Sequence, residues 1–297
     1  NMSGCFFNFN GTAGVWRRSA ILSAGGWHDD TLTEDLDLSY RSQLMGWQFV
    51  FMPDVVAPAE LPIDMNVFKS QQRRWTQVSV QTCFKILPRV FLADLPFKIK
   101  VEAFFRLTGS FNFLLVFVWS LLLIPAITVR VGMSGWLLWF DTPLFLIACF
   151  SMVHCYALSQ RAIGGQWVAR LRNIPALIAV GLGLSMYNSF AILEALVRRK
   201  IEFSRTPKYG AVAATNPRVR SPYRRKRFTQ PLIELILGFC FACGAAYAFA
   251  LHVFSVVPIM SLFNWGFFYL GWLSLIEQQT LFHGTLLPQR KPNRFGM

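Results

Sequence analysis

The pattern of hydrophobic and polar positions changes character near residue 100. Before it, apolar and polar residues alternate in short blocks. After it come long apolar runs that are almost free of charge. A helix crossing a bilayer core needs about 20 apolar residues. Leu107–Val129 meets that length without one charged side chain, and Trp136–Gln160 meets it with Asp141 alone. Ile174–Val197 is a third run, and Leu232–Leu251 with Ser255–Ile276 forms a closely spaced pair around Pro258. The pattern predicts a soluble part over 1–100 and a multi-pass membrane part over 101–297.

Within the first hundred residues the punctuation is clear. Cys5–Phe9 is a short aromatic run that predicts a strand, followed by the small residues Asn10, Gly11, Thr12, Ala13 and Gly14. Val15–Leu22 reads as a short helix stopped by Gly25-Gly26. A helix over 34–45 should follow, with Thr33 as its N-cap, the hydroxyl accepting a bond from a first-turn amide. Glu34, Asp35 and Asp37 suit the positive end of that helix's dipole. Gly46 supplies a C-cap, Trp47–Met52 reads as a strand closed by Pro53, and Val55–Glu60 as another. Asp64–Phe84 then runs without proline and contains Gln71-Gln72-Arg73-Arg74-Trp75. Val67, Trp75 and Val78 fall near one stripe of this helix, with Lys69 and Arg73 elsewhere, as in a helix lying on a membrane surface.

Composition narrows the class. Charged residues are 15% of the chain, against about 25% in an average soluble protein. The formal net charge is +14. Much of the excess lies between Val197 and Leu232, where eleven Lys and Arg face the single acid Glu202. That segment lacks the interleaved aromatics of a nucleic-acid platform and lies between membrane runs, so membrane lipid headgroups, not nucleic acid, are its expected partner. The six cysteines are scattered, and Cys240 and Cys243 sit in an apolar run with no second ligand pair. No signal peptide is visible, and the chain opens at Asn1 on an apolar stretch, which reads as the carboxy-terminal part of a longer protein.

Alone, Thr33-Glu34-Asp35 is a capped helix start, and Gln71–Trp75 an interfacial helix with a Trp anchor. Their company changes the reading. The motifs F-F-N-F-N-G-T-A-G over 6–14, T-E-D over 33–35, Q-Q-R-R-W over 71–75 and F-S-R-T-P-K-Y-G over 203–210 occur in that order. Together they resemble the membrane-bound family-2 glycosyltransferases, the processive synthases of cellulose, hyaluronan and plant mannans or glucans. The run N-F-N-G-T-A-G-V-W-R followed by A-G-G-W looks most like the mannan synthase and related glucan branch.

The resemblance implies a fold, a reaction and a set of residues. The fold would be α/β plus membrane helices: the second half of a GT-A-type domain, interfacial helices, then about four transmembrane helices. Asp35 would be the general base of an inverting hexosyl transfer, with Glu34 orienting the loop or acceptor. Asn10, Gly11 and Thr12 would line the acceptor site, and Gln71, Arg74 and Trp75 would hold diphosphate and acceptor sugar. Phe203, Thr206 and Lys208 would belong to a gating loop, although Arg205 and Pro207 depart from the cellulose-type form. The donor would be UDP-glucose or GDP-mannose, with Mg2+ or Mn2+ bound by residues preceding Asn1, so this stretch alone should be inactive. The acceptor would be a growing β-linked polysaccharide or, in a non-processive enzyme, a lipid-linked sugar. A non-catalytic transporter or scaffold is the alternative from another class.

A cytoplasmic sugar nucleotide also constrains topology. The basic loop 198–231 belongs on the cytoplasmic side of a bacterial inner membrane or its equivalent, with the catalytic part beside it. An even number of crossings must separate them. Residues 174–197 carry Gly181, Gly183, Ser185, Asn188 and Ser189, so they are expected to be re-entrant or interfacial. Four crossings then remain, near 107–129, 136–160, 232–251 and 255–276, an arrangement that cysteine accessibility reads directly.

Overall fold

The computed structural model describes residues 4–9, 11, 13–28, 33–52, 54–59, 62, 65–131, 138–197 and 229–283. Ten α-helices are described: α1 (Arg18–Ser23), α2 (Glu34–Leu44), α3 (Met65–Leu92), α4 (Phe97–Thr108), α5 (Asn112–Val131), α6 (Leu138–Ile163), α7 (Trp167–Leu171), α8 (Ile174–Val197), α9 (Thr229–Ala250) and α10 (Val257–His283). The chain divides into two compact units. One comprises Asn1–Ile63, Val67–Trp119 and Ser185–Arg224, the other Asp64–Asn66, Ser120–Leu184 and Arg225–Met297.

The first unit is built on α2, α3 and α4. Cys83, Ile86 and Val90 recur at helical spacing along α3 and pack with Ala103 and Leu107 of α4, Tyr40 of α2, and Phe6. Phe6 meets the Tyr40 ring edge-on at 5.8 Å. Each such side chain stabilises by roughly 1.5–3 kcal/mol when fully buried. Helix α3 runs eight residues beyond the expected Phe84, through Pro88, because its apolar stripe continues to Val90.

Among the described residues there is no β-strand where the sequence predicts three. The reason is visible at Phe7. Its amide donates to Gln43 Oε1 at 2.5 Å and its carbonyl accepts from Gln43 Nε2 at 2.8 Å, so a side chain takes the place of a neighbouring strand. The aromatic alternation serves ring packing instead. Phe7 stacks on Phe49 at 5.6 Å, and the Trp16 ring meets Phe49 edge-on at 5.0 Å.

Helix α1 begins at Arg18, three residues later than expected, and ends where Gly25 and Gly26 take φ of +89° and +81°. Thr33 does not cap α2 through its side chain. Its hydroxyl is instead 2.8 Å from that of Thr82 on α3. At the other end Gly46, at φ +87°, lets the Trp47 amide turn back to the Ser42 carbonyl, as the glycine predicts. On α3, Val67 and Val78 are buried, but Trp75 is 51% exposed and Lys69 only 4%. The expected stripe is therefore rotated: Trp75 lies off the buried face and Lys69 lies on it.

In the second unit α9 and α10 pair through a turn at His252. Phe241, Phe263 and Phe267 stack between them, with Phe241 5.1 Å from Phe263. Small residues let backbones approach: a side chain at Gly183 of α8 would lie 2.6 Å from the Gly266 carbonyl oxygen. Glu277 of α10 caps the start of α3, accepting from the Met65 amide at 2.8 Å and the Asn66 amide at 3.2 Å.

Four segments among the described residues are long and apolar enough to cross a membrane: Phe97–Val129, Trp167–Val197, Thr229–Ala250 and Phe254–Glu277. Residues 174–197 form one continuous helix, and their polar members Ser185, Asn188 and Ser189 are buried within the protein. The run expected from Trp136 is described from Leu138, as α6.

The seam at Gly266 generates a test. Overpacking a tight contact typically costs about 1–3 kcal/mol. Gly266→Leu should lower the thermal unfolding midpoint of the detergent-solubilised protein by several degrees. Gly181→Leu, where a new side chain meets nothing within 4 Å, should not. Equal midpoints for the two would contradict this packing.

Candidate active site

Asp35 lies in the first turn of α2, half-buried, with Glu34 exposed beside it. One carboxylate oxygen, Oδ1, accepts the Leu36 amide at 2.8 Å. The other, Oδ2, sits over Gly11, in the space a side chain there would fill. Gly11 also has φ +69°, which L side chains rarely adopt. Glycine is therefore required at 11 by both conformation and contact, and the N-G-T-A-G turn meets the T-E-D carboxylate there.

The environment acts on the Asp35 proton. Burial raises its pKa above the ordinary carboxylate value, the Leu36 hydrogen bond opposes this, and the charge of Glu34 adds to the rise. A carboxyl whose folded pKa is raised stabilises the fold while protonated and costs stability as pH climbs through that pKa. An ionised Asp35 therefore works against stability, a pattern that recurs at functional sites.

Two residues on, Asp37 has the opposite character. It is fully buried and paired, its Oδ2 2.8 Å from Arg41 Nε and its Oδ1 2.9 Å from Lys85 Nζ of α3. His28 Nδ1 stands 3.7 Å from Asp37 and 3.3 Å from Lys85. The rest of the Arg41 fork donates to the carbonyls of Ala24 and Gly26, the latter at 2.8 Å. This network fastens the glycine loop and α2 to α3, and so fixes the turn that carries Asp35. The sequence reading missed this network; the i,i+4 spacing of Asp37 and Arg41 is the one signal that points to it, and Lys85 and His28 carry none of their own.

Helix α3 presents the second motif. Gln71 and Arg74 are half-buried and Trp75 is half-exposed. The intervening Arg73 pairs with Glu194 of α8, and Gln77 Nε2 donates to the same Glu194 Oε2 at 2.8 Å. Asn10, Thr12, Phe203, Thr206 and Lys208 lie outside the described residues. No three His, Cys, Asp or Glu side chains among the described residues come together to hold a metal ion. Among the described residues Asp37 is taken up by cations, and Glu34 is the acid whose charge acts on Asp35.

Removing Asp37 leaves Arg41 and Lys85 buried without their counter-charge, which costs about 3–5 kcal/mol. Asp37→Ala should lower the midpoint of the intact protein markedly, whereas Asp35→Asn should leave it unchanged or raise it. Thermal unfolding in detergent reads both, and a wild-type midpoint for Asp37→Ala would refute the network's role.

Comparison with known proteins bears on this arrangement. The family model described as glycosyl transferase family group 2 matches residues 1–159, more than half of the chain. The chain is 29% identical over 281 residues to glucomannan 4-beta-mannosyltransferase 7 of Arabidopsis thaliana, covering 90% of this chain and 48% of that protein. It is 55% identical over 71 residues to glucomannan 4-beta-mannosyltransferase 1 of Cyamopsis tetragonoloba, 24% of this chain and 14% of that protein. The rice protein of the same name matches over 71 residues at 55%, again 24% and 14%. The chain thus spans about half, or less, of the length of these curated relatives. No solved structure matches it. The chain belongs to glycosyl transferase family group 2.

Proposed function

We propose that the protein carrying this chain is a membrane-embedded inverting glycosyltransferase of the GT-A type. It moves a hexose from a nucleotide sugar onto a growing β-linked polysaccharide. The observation that carries this reading is the Asp35 carboxylate held over Gly11, the glycine that the family resemblance assigns to the acceptor site. In the transfer Asp35 Oδ2 takes the proton as the acceptor oxygen bonds to the anomeric carbon, and the nucleotide diphosphate leaves with the electron pair of the broken bond. A general base must be ionised and within hydrogen-bond reach. The raised pKa strengthens the base and makes activity fail on the acid side at a higher pH than an ordinary aspartate would.

Arg74 is assigned to the departing diphosphate, whose charge suits a guanidinium fork. Trp75 is assigned to the acceptor sugar, whose ring C–H groups match a flat aromatic face, and it presents half its surface. Asn10 and Thr12 complete the acceptor side, Gln71 lies beside Arg74 on α3, and Glu34 orients the Asp35 turn. The mannosyltransferase names of the relatives make GDP-mannose the first donor to offer and UDP-glucose the second. A divalent cation expected with the diphosphate finds no ligand set among the described residues.

The test uses the intact protein in detergent or nanodiscs with each donor in turn. A polymer from one donor, lowered at least about a hundredfold in Asp35→Asn, is the expected result for loss of a general base. Full-length product from the variant would remove Asp35 from the role. A single-sugar lipid product would replace the polysaccharide acceptor by a lipid one.

A further inference from the structure

Helix α3 carries two polar faces with different tasks. At about 100° per residue, Arg74 and Trp75 lie within roughly 60° of Gln71, while Arg73 and Gln77 lie about 200–240° around the axis. The second face is turned inward: Lys69, Thr76 and Gln77 are buried, as is most of Arg73. There one carboxylate, Glu194 of α8, is gripped by two α3 side chains a turn apart, Arg73 and Gln77. The Arg73 guanidinium also lies over the Tyr187 ring of α8, 5.2 Å from its centroid. Tyr187 and Glu194 are two turns apart on α8, so Arg73 spans both anchors.

We propose that Glu194 is a positioning residue for the transfer reaction. Through Arg73 and Gln77 it fixes the rotation of α3 about its own axis, and with it the aim of Gln71, Arg74 and Trp75. The inference rests on the proposed roles of those three residues. Its leverage is geometric. A helix with side chains has a radius of about 5–6 Å, so a roll of about 10° moves a side-chain tip by about 1 Å. A misplacement of that size can cost about a hundredfold in rate. Two interactions on one carboxylate plus a stacked ring resist such a roll, where a single ion pair would let α3 pivot.

The experiment compares Glu194→Leu, Glu194→Gln and the charge swap Arg73→Glu with Glu194→Arg in the intact protein. Expected are a kcat lowered by about ten- to a hundredfold in the leucine variant and donor KM within about twofold. More donor should be hydrolysed per sugar transferred, and amide exchange should quicken over residues 69–79. The swap should recover most of the lost kcat and restore exchange protection. Glu194→Gln keeps the volume and one hydrogen bond, and carries the test should the leucine variant not fold. A leucine variant with wild-type kcat and exchange would overturn the inference, as would a swap no better than the single change. If the wild-type protein transfers from neither donor, the proposed function falls, while the exchange measurement still decides the latch.

Discussion

The structure of the first unit depends on a single buried carboxylate. Asp37 is removed from water and held between Arg41 on its own helix and Lys85 on the next. Three charges in a low-dielectric site are tolerable only as a matched set, so the set dictates how its elements meet. Arg41 passes the constraint to the backbone of the glycine loop, and Lys85 passes it to the helix that carries Gln71–Trp75. Apolar packing of Tyr40, Cys83 and Ile86 supplies most of the adhesion around this set. The ion network supplies direction, which packing alone does not.

Asp35 is what that direction serves. Two carboxylates two residues apart on one helix have opposite fates. One is neutralised by cations and becomes structural. The other is left at the helix start, half-buried, with one oxygen over a glycine. Desolvation keeps its proton affinity high, a property that suits a general base. The acidic cluster thus divides its labour by environment, since both side chains have the same chemistry.

Much of this was legible in the sequence, and the gaps have physical causes. Helices α2 and α3 were readable from spacing, and Gly46 from turn chemistry, because these are local rules. The motif resemblance gives Gly11 and Asp35 separate roles, and their close contact follows from no local rule. The predicted strands failed because alternation of Phe7, Phe9, Phe49 and Phe51 fits ring stacking as well as a pleated sheet, and Gln43 satisfies the Phe7 backbone from outside the segment. Thr33 was misread as a cap because its hydroxyl had a better partner, Thr82, 49 residues away. Glu194 was invisible for the same reason: a single acid in an apolar helix has no meaning until Arg73 and Gln77 are placed beside it. The burial of Ser185, Asn188 and Ser189 on α8 is likewise a tertiary fact that hydropathy along the chain does not carry.

In the proposed transfer Asp35 removes the acceptor proton as the anomeric carbon inverts. Azide is a nucleophile that needs no base, so it separates that task from every other contribution of the site. The decisive measurement is product analysis of Asp35→Ala in the intact protein, given nucleotide sugar with and without azide. Without azide no polymer is expected, and with it a glycosyl azide of configuration opposite to the donor. Undiminished polymer from the variant, or an azide product that retains the donor's configuration, would contradict that role of Asp35.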